Sequence, residues 1–128
     1  MKKSILLCIL FISASALFSN KAQAQDKDNQ KTFLVINAVV DQEHKQELNG
    51  YLSQMMQIFK DHEGKPIGRY KTIEKVSGSK APEMIAMISF ENVEKIKTML
   101  DGEKYKSLFE LRERVFSDLK IVICTELN

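Results

Sequence analysis

Between Thr32 and Val40 the chain reads Thr-Phe-Leu-Val-Ile-Asn-Ala-Val-Val. β-Branched and aromatic residues dominate this run, which suits a pleated backbone. Successive side chains of a strand point to opposite faces, and here both sets are apolar: Phe33, Val35 and Val39 against Leu34, Ile36, Ala38 and Val40. Such a strand needs cover on both sides, a demand that limits the fold more than any other stretch. A second run, Glu83 to Phe90, sets Met84, Ala86, Ile88 and Phe90 against Ile85 and Met87. A third, Lys120 to Glu126, carries Ile121, Val122, Ile123 and Cys124.

Helical spacing fills the intervals. Asp41 stands at an N-cap position, and Leu48, Leu52, Met55 and Phe59 then recur on one face, with Tyr51 and Met56 beside them, until Gly64. Gly50 inside this helix costs about 1 kcal/mol relative to Ala, and close approach of another backbone is the expected reason. Pro66, Arg69, Lys71 and Lys75 suit a sheet edge, so Ile67 to Val76 reads as a strand, followed by a loop from Ser77 to Pro82. Asn92 caps a short helix with Val93, Ile96 and Leu100 inward, ended at Asp101-Gly102. In the next helical piece Tyr105, Leu108, Arg112, Val115, Phe116 and Leu119 share one face, while Glu110, Arg114 and Asp118 form an i,i+4 ladder on another.

The order β-α-β-β-α-β predicts a ferredoxin-like α+β fold, one antiparallel sheet with helices on one face. Helices then cover one apolar face and leave the other open, with more apolar area than a monomer tolerates. A second copy packed face to face meets that demand, so a homodimer is expected.

Lys2 and Lys3 precede an apolar run from Ile5 to Phe18, and Ala22-Gln23-Ala24 then stands before Gln25-Asp26-Lys27. These are the three regions of a secretory signal peptide, residues 1–24. The run is shorter than the roughly 20 residues a membrane-crossing helix needs, so no membrane association is expected after cleavage. Cys8 follows Leu7 and is a poor lipidation site. Residues 25–31 read as a polar tether and 32–128 as the domain. The expected location is the periplasm or the medium. Without the leader, 16 basic groups face 17 acidic ones. With no run of basic residues either, nucleic acid is not an expected partner. Cys124 becomes the one cysteine, which excludes an internal disulfide. It reads as a small buried hydrophobe or as a reactive thiol.

The chain has no Walker loop, Gly-x-Ser-x-Gly, Gly-x-Gly-x-x-Gly or Cys-x-x-Cys. His44 and His62, with Asp41, Glu43, Asp61 and Glu63 nearby, invite a metal reading, but 18 residues of helix separate them by about 27 Å. Solvated helix-end histidines are the reading adopted. Neither a metal nor an organic cofactor is expected, and the methionines sit at core spacing.

Arg112 is the polar residue that stands out, because it lies on the apolar stripe one turn from Leu108 and one turn from Phe116. Either its stem packs while the guanidinium reaches water or a carboxylate, or it is a donor fork at a cleft rim, with Tyr105 two turns earlier on the same face. Arg69 either joins it as a ligand-binding residue or protects a sheet edge.

From Pro82 onward the chain resembles, without gaps, domain-of-unknown-function family 1330 of the dimeric α+β barrel superfamily. The matching residues are Pro82, the strand Ile85 to Ile88 with Phe90, Val93-Glu94, Asp101, Tyr105 and Leu111-Arg112-x-Arg114. Before it the likeness is looser: Val40-Asp41, Gly64, Arg69 and Gly78. The family usually has an acidic residue at Ser89, a Pro at Glu91, and paired glycines at Glu63-Gly64 and Tyr70-Lys71, so no role of that acid carries over. The resemblance implies a homodimer with a cleft between sheet and helices in each subunit, and it implies no reaction. A small, partly apolar ligand bound in that cleft is the leading reading. The alternatives are a cofactor-independent oxygenase or isomerase, which needs a general base in the cleft, and an assembly protein whose cleft is incidental.

Export predicts a new N-terminus. Mass spectrometry of protein recovered from the periplasm or medium is expected to show Gln25 as the first residue, and intact Met1 on membrane-bound material would refute the leader.

Overall fold

A computed structural model of the protein describes residues 30–127. The expected leader at 1–24 and most of the expected tether lie outside them. Strands β1 (Thr32–Val40), β2 (Lys65–Lys71), β3 (Met84–Phe90) and β4 (Phe116–Thr125) form one sheet in the order β2-β3-β1-β4, antiparallel throughout. A 3-10 turn, Gln42–Glu47, leads into α1 (Leu48–Asp61). After β3 come α2 (Val93–Asp101), the single turn α3 (Glu103–Lys106) and α4 (Phe109–Val115). This is the ferredoxin-like α+β architecture expected from the element order. Among the described residues no helix is long and apolar enough to cross a membrane.

The register sorts the sheet into two faces. Leu34 lies between Ile88 and Ile123, Ile36 between Ala86 and Ile121, and Ala38 between Met84 and Leu119. This face carries the core, where Leu34, Ala38, Ile88 and Phe90 pack with Met55 and Phe59 of α1 and Ile96 and Met99 of α2. Its aromatic contacts run edge to face: Phe59 to Phe90 with centroids 6.3 Å apart, and Tyr51 to Phe116 at 5.3 Å. On the other face Phe33 lies between Ser89 and Cys124, Val35 between Met87 and Val122, and Asn37 between Ile85 and Lys120. None of these is buried within the chain.

Caps hold the elements where the sequence signals them. Asp41 Oδ1 accepts from the Glu43 amide at 2.8 Å, and Asn92 Oδ1 from the Lys95 amide at 3.0 Å. α1 ends in a Schellman turn, in which the Glu63 amide donates to Lys60 O and the Gly64 amide to Phe59 O, at 3.1 and 2.7 Å. Glu63 takes the left-handed position at φ 60°. A Cβ on Gly64 would lie 2.7 Å from the Phe90 ring.

Five expectations need correction. β2 ends at Lys71 instead of running to Val76, because β3 begins only at Met84 and Thr72 N makes the last bond, to Glu83 O. Ile73 and Val76 are consequently 99% and 96% exposed. β4 starts at Phe116, four residues before Lys120, where pairing with Val40 takes over from the helix. The Glu110–Arg114–Asp118 ladder therefore does not exist: Asp118 lies on β4 opposite Val39, and Arg114 reaches Glu47 at 3.4 Å. Nothing lies within 4 Å of a Cβ built on Gly50, so no close backbone explains that glycine. In α2, Met99 is fully buried while Val93 is 37% exposed, which moves the inward face by one position.

These two glycines predict opposite outcomes. Gly64→Ala is expected to lower stability by about 1–3 kcal/mol, since Phe90 is confined by the core. Gly50→Ala is expected to raise it by up to about 1 kcal/mol through helix propensity. Urea unfolding monitored by circular dichroism measures both.

Candidate functional site

The split of the second helical region builds the site. A break at Ser107-Leu108 separates α3 from α4, and Tyr105, Phe109 and Arg112 fall on one side of the two pieces. Tyr105 is buried and its ring meets Phe109 edge to face, centroids 5.4 Å apart. The Arg112 guanidinium lies 4.3 Å from the Phe109 centroid and 5.9 Å from that of Tyr105, and its Nη1 donates to the Tyr105 hydroxyl at 3.0 Å. Two rings and a hydroxyl thus fix the fork. Among the described residues no carboxylate lies within 4.0 Å of it.

These residues line an open cleft of about 710 Å³ between α3–α4 and β4. Leu119, Ile121 and Ile123 of β4 form its apolar side, and Glu113 and Asp118, both exposed, are its carboxylates. Phe116 closes one end. An apolar wall with one fixed donor group can hold a small ligand by area and orient it by charge.

Tyr51, a flanking member of the α1 stripe by sequence, is buried and does not line this cleft, but it lies close enough to feel it. Burial pushes its hydroxyl up to about 12, and negative charge on Tyr105 acts in the same direction, against a smaller opposing pull from Arg112. It therefore stays protonated at neutral pH. The signal available in the sequence was a hydroxyl on a helical core face.

Arg69 does not join Arg112. It is in register with Ala86 on β2, at the opposite edge of the sheet from β4. There it lines a second cleft, of about 420 Å³, between α1 and the β2–β3 edge. Phe116 and residues around it are the partition, since Phe116 borders both clefts.

The histidines fall at the two ends of the first helical region, His44 in the 3-10 turn and His62 as the C-cap of α1. Among the described residues, Asp41, Glu43 and His44 bring one ligand atom each within 4.8 Å. Asp41 Oδ1 already serves the Glu43 amide, and His44 Nδ1 lies 3.6 Å from it without a hydrogen bond. Cys124 is half-buried on the uncovered sheet face opposite Phe33, outside the core assigned to it.

Solved structures place this geometry among known folds. A protein of unknown function from Rhodopseudomonas palustris aligns with a TM-score of 0.66 at 11% identity, covering 86% of this chain and 95% of its own. A Dabb family protein with a ferredoxin-like fold from Mesorhizobium loti aligns at 0.60 and 9% identity, over 77% and 99%. A protein described as dimeric, of unknown function and with a ferredoxin-like fold, from Bacteroides fragilis, aligns at 0.54 and 7%, over 75% and 96%. No curated protein matches the sequence. The family model described as "Domain of unknown function (DUF1330)" matches residues 31–126, nearly the whole described domain, and the chain belongs to that family.

Proposed function

We propose that the protein is exported, pairs with a second copy through the uncovered sheet face, and binds a small, partly apolar monoanion or carbonyl compound in the Arg112–Tyr105 cleft. One observation carries the binding reading: a guanidinium held by Tyr105 and Phe109, facing the apolar β4 side of the cleft, with no carboxylate within 4.0 Å among the described residues. A structural arginine in such a position normally has an acidic partner, because an unpaired charge near apolar walls is unfavourable. A bound anion or carbonyl oxygen supplies that partner. Glu113 and Asp118 at the rim disfavour highly charged ligands and stand in solvent, where a general base for an oxygenase or isomerase reaction would be poorly shielded.

Pairing rests on the uncovered face. Phe33, Val35, Ile85, Met87 and Val122 form a continuous apolar surface on it by register. The neighbour from Bacteroides fragilis is described as dimeric, which supports pairing but names no face. The N-terminal leader supports export.

Light scattering at micromolar concentration is expected to give twice the subunit mass, and Val35→Asp to give the monomer. A monomeric wild type would refute the pairing. For the cleft, a panel of small aromatic carboxylates and phenols is titrated by calorimetry. Arg112→Met is expected to weaken binding by roughly 1.5–3 kcal/mol, the usual worth of a hydrogen bond to a charged group. Arg114→Met is expected to change little, because its partner Glu47 forms an exposed pair. Equal effects, or unfolding on loss of Arg112 alone, would return Arg112 to a structural role.

A further inference from the structure

The cleft at the β2 edge differs in kind from the one at β4. It is smaller and more enclosed, and its walls are almost wholly apolar, with α1 as the roof and β3 as the floor. Two local features open it. Ala86 is the smallest residue on the covered face of β3, between Met84 and Ile88, so the floor is low there. The register of β2 slips between Pro66 and Gly68, leaving Ile67 bulged at the rim. Bulges of this kind bend an edge strand and accumulate beside functional sites.

The roof and floor are also unusually adaptable. Met55 and Met56 on α1 and Met84 on β3 line the cleft, and methionine, unbranched and polarizable, moulds itself to apolar guests of varied shape. At the mouth stands Arg69, exposed, with neither a salt bridge nor a side-chain hydrogen bond among the described residues. Lys71 occupies the same side of β2 two positions on. A greasy cavity with a cation at its entrance matches an amphiphile with one negative head. The sign of Arg69 and Lys71 disfavours an ammonium head, and a lining whose polar side chains are Tyr51 and Arg69 alone disfavours a sugar or nucleotide.

Size narrows the guest. A volume of about 420 Å³ equals the share of roughly fourteen waters at ~30 Å³ each, and a methylene occupies about as much. We propose that this cleft is a second binding site, separate from the Arg112 cleft, for a straight-chain monocarboxylate of about eight to twelve carbons, with the tail among Met55, Met56 and Met84 and the carboxylate on Arg69.

The test uses protein labelled with ¹³C at methionine methyl groups and titrated with sodium octanoate, 1-octanol and octylammonium. Octanoate is expected to shift Met55, Met56 and Met84 and to leave Met99, which lines neither cleft, in place. It is expected to bind at least about tenfold more tightly than octanol or octylammonium, as a charge-assisted contact implies. Arg69→Gln is expected to remove that preference while octanol binding persists. Ala86→Leu, which fills the floor, is expected to abolish the shifts for both guests, and Arg69→Gln decides the matter should Ala86→Leu not fold. Arg112→Met is expected to leave the octanoate shifts at Met55, Met56 and Met84 unchanged, because these methyls line the other cleft. Silent methyls at Met55, Met56 and Met84, equal binding of the three head groups, or loss of octanoate binding in Arg112→Met but not Arg69→Gln would overturn the proposal. The last outcome would leave the Arg112 cleft intact as a site.

Discussion

A central strand apolar on both faces sets the terms for everything around it. β1 pairs with β3 on one side and β4 on the other, so its alternation is copied across the sheet. Leu34 and Ala38, each 1% exposed, anchor the covered face and draw α1 and α2 onto it. Phe33, Val35 and Val39 belong to the other face, and the connections between strands all carry their helices to the first one. Burying a side chain of this size contributes about 1.5–3 kcal/mol. Leaving several in water is a standing drive toward association, and among the described residues nothing covers this face.

The same one-sided cover decides where clefts can form. Leu34 and Ala38 of β1 lie buried under the helices, but the region after β3 is broken at Gly102 and again at Ser107-Leu108 into three short helices. Leu119, Ile121 and Ile123 of β4 are consequently only partly covered, with Ile123 39% exposed. At the other edge the bulged β2 leaves Met84 and Ala86 open. Each cleft has one arginine, and in each the long aliphatic stem can lie against apolar surface while the head stays at the boundary. Charge sits at the edges of this sheet because only there can it be solvated.

How much of this was legible follows the physics of each signal. Caps were, since Asp41 and Asn92 act over three residues and answer to local geometry alone. The strand order was, through the βαββαβ pattern. The Arg112–Tyr105 pairing was readable from two-turn spacing, although a break in the helix lies between them. Strand ends were not readable. Val115-Phe116 continues an apolar stripe that a helix and a strand would both accept, and only pairing with Val40 selects the strand. Likewise Ile73 and Val76 extend the pattern of β2, but an edge strand ends where its neighbour does. The separation of Arg69 from Arg112 is implicit in the strand order, which puts β2 and β4 at opposite edges, but residue type alone carries no sign of it.

The turn between α1 and β2 shows how a departure from the family pattern is accommodated. Glu63 occupies a left-handed position where the family usually has glycine, a conformation unfavourable for a residue with a Cβ. Its carboxylate pairs with Lys95 of α2, which also reaches Glu91 at 2.7 Å. The hydrogen bond and charge of Lys95 hold the Glu63 carboxyl below its ordinary range, and Glu63 and then Glu91 raise Lys95. A depressed carboxyl contributes stability that is present at neutral pH and fades as acid protonates it. Glu63 and Glu91 are exposed and Lys95 is half-buried, so salt screens the pairing as well. The backbone hydrogen bonds of the Schellman turn do not titrate, and they hold Gly64 against Phe90 at any pH. The ion pair therefore tunes the position of α2 against the end of α1, while packing at Gly64 and Phe90 fixes the turn itself.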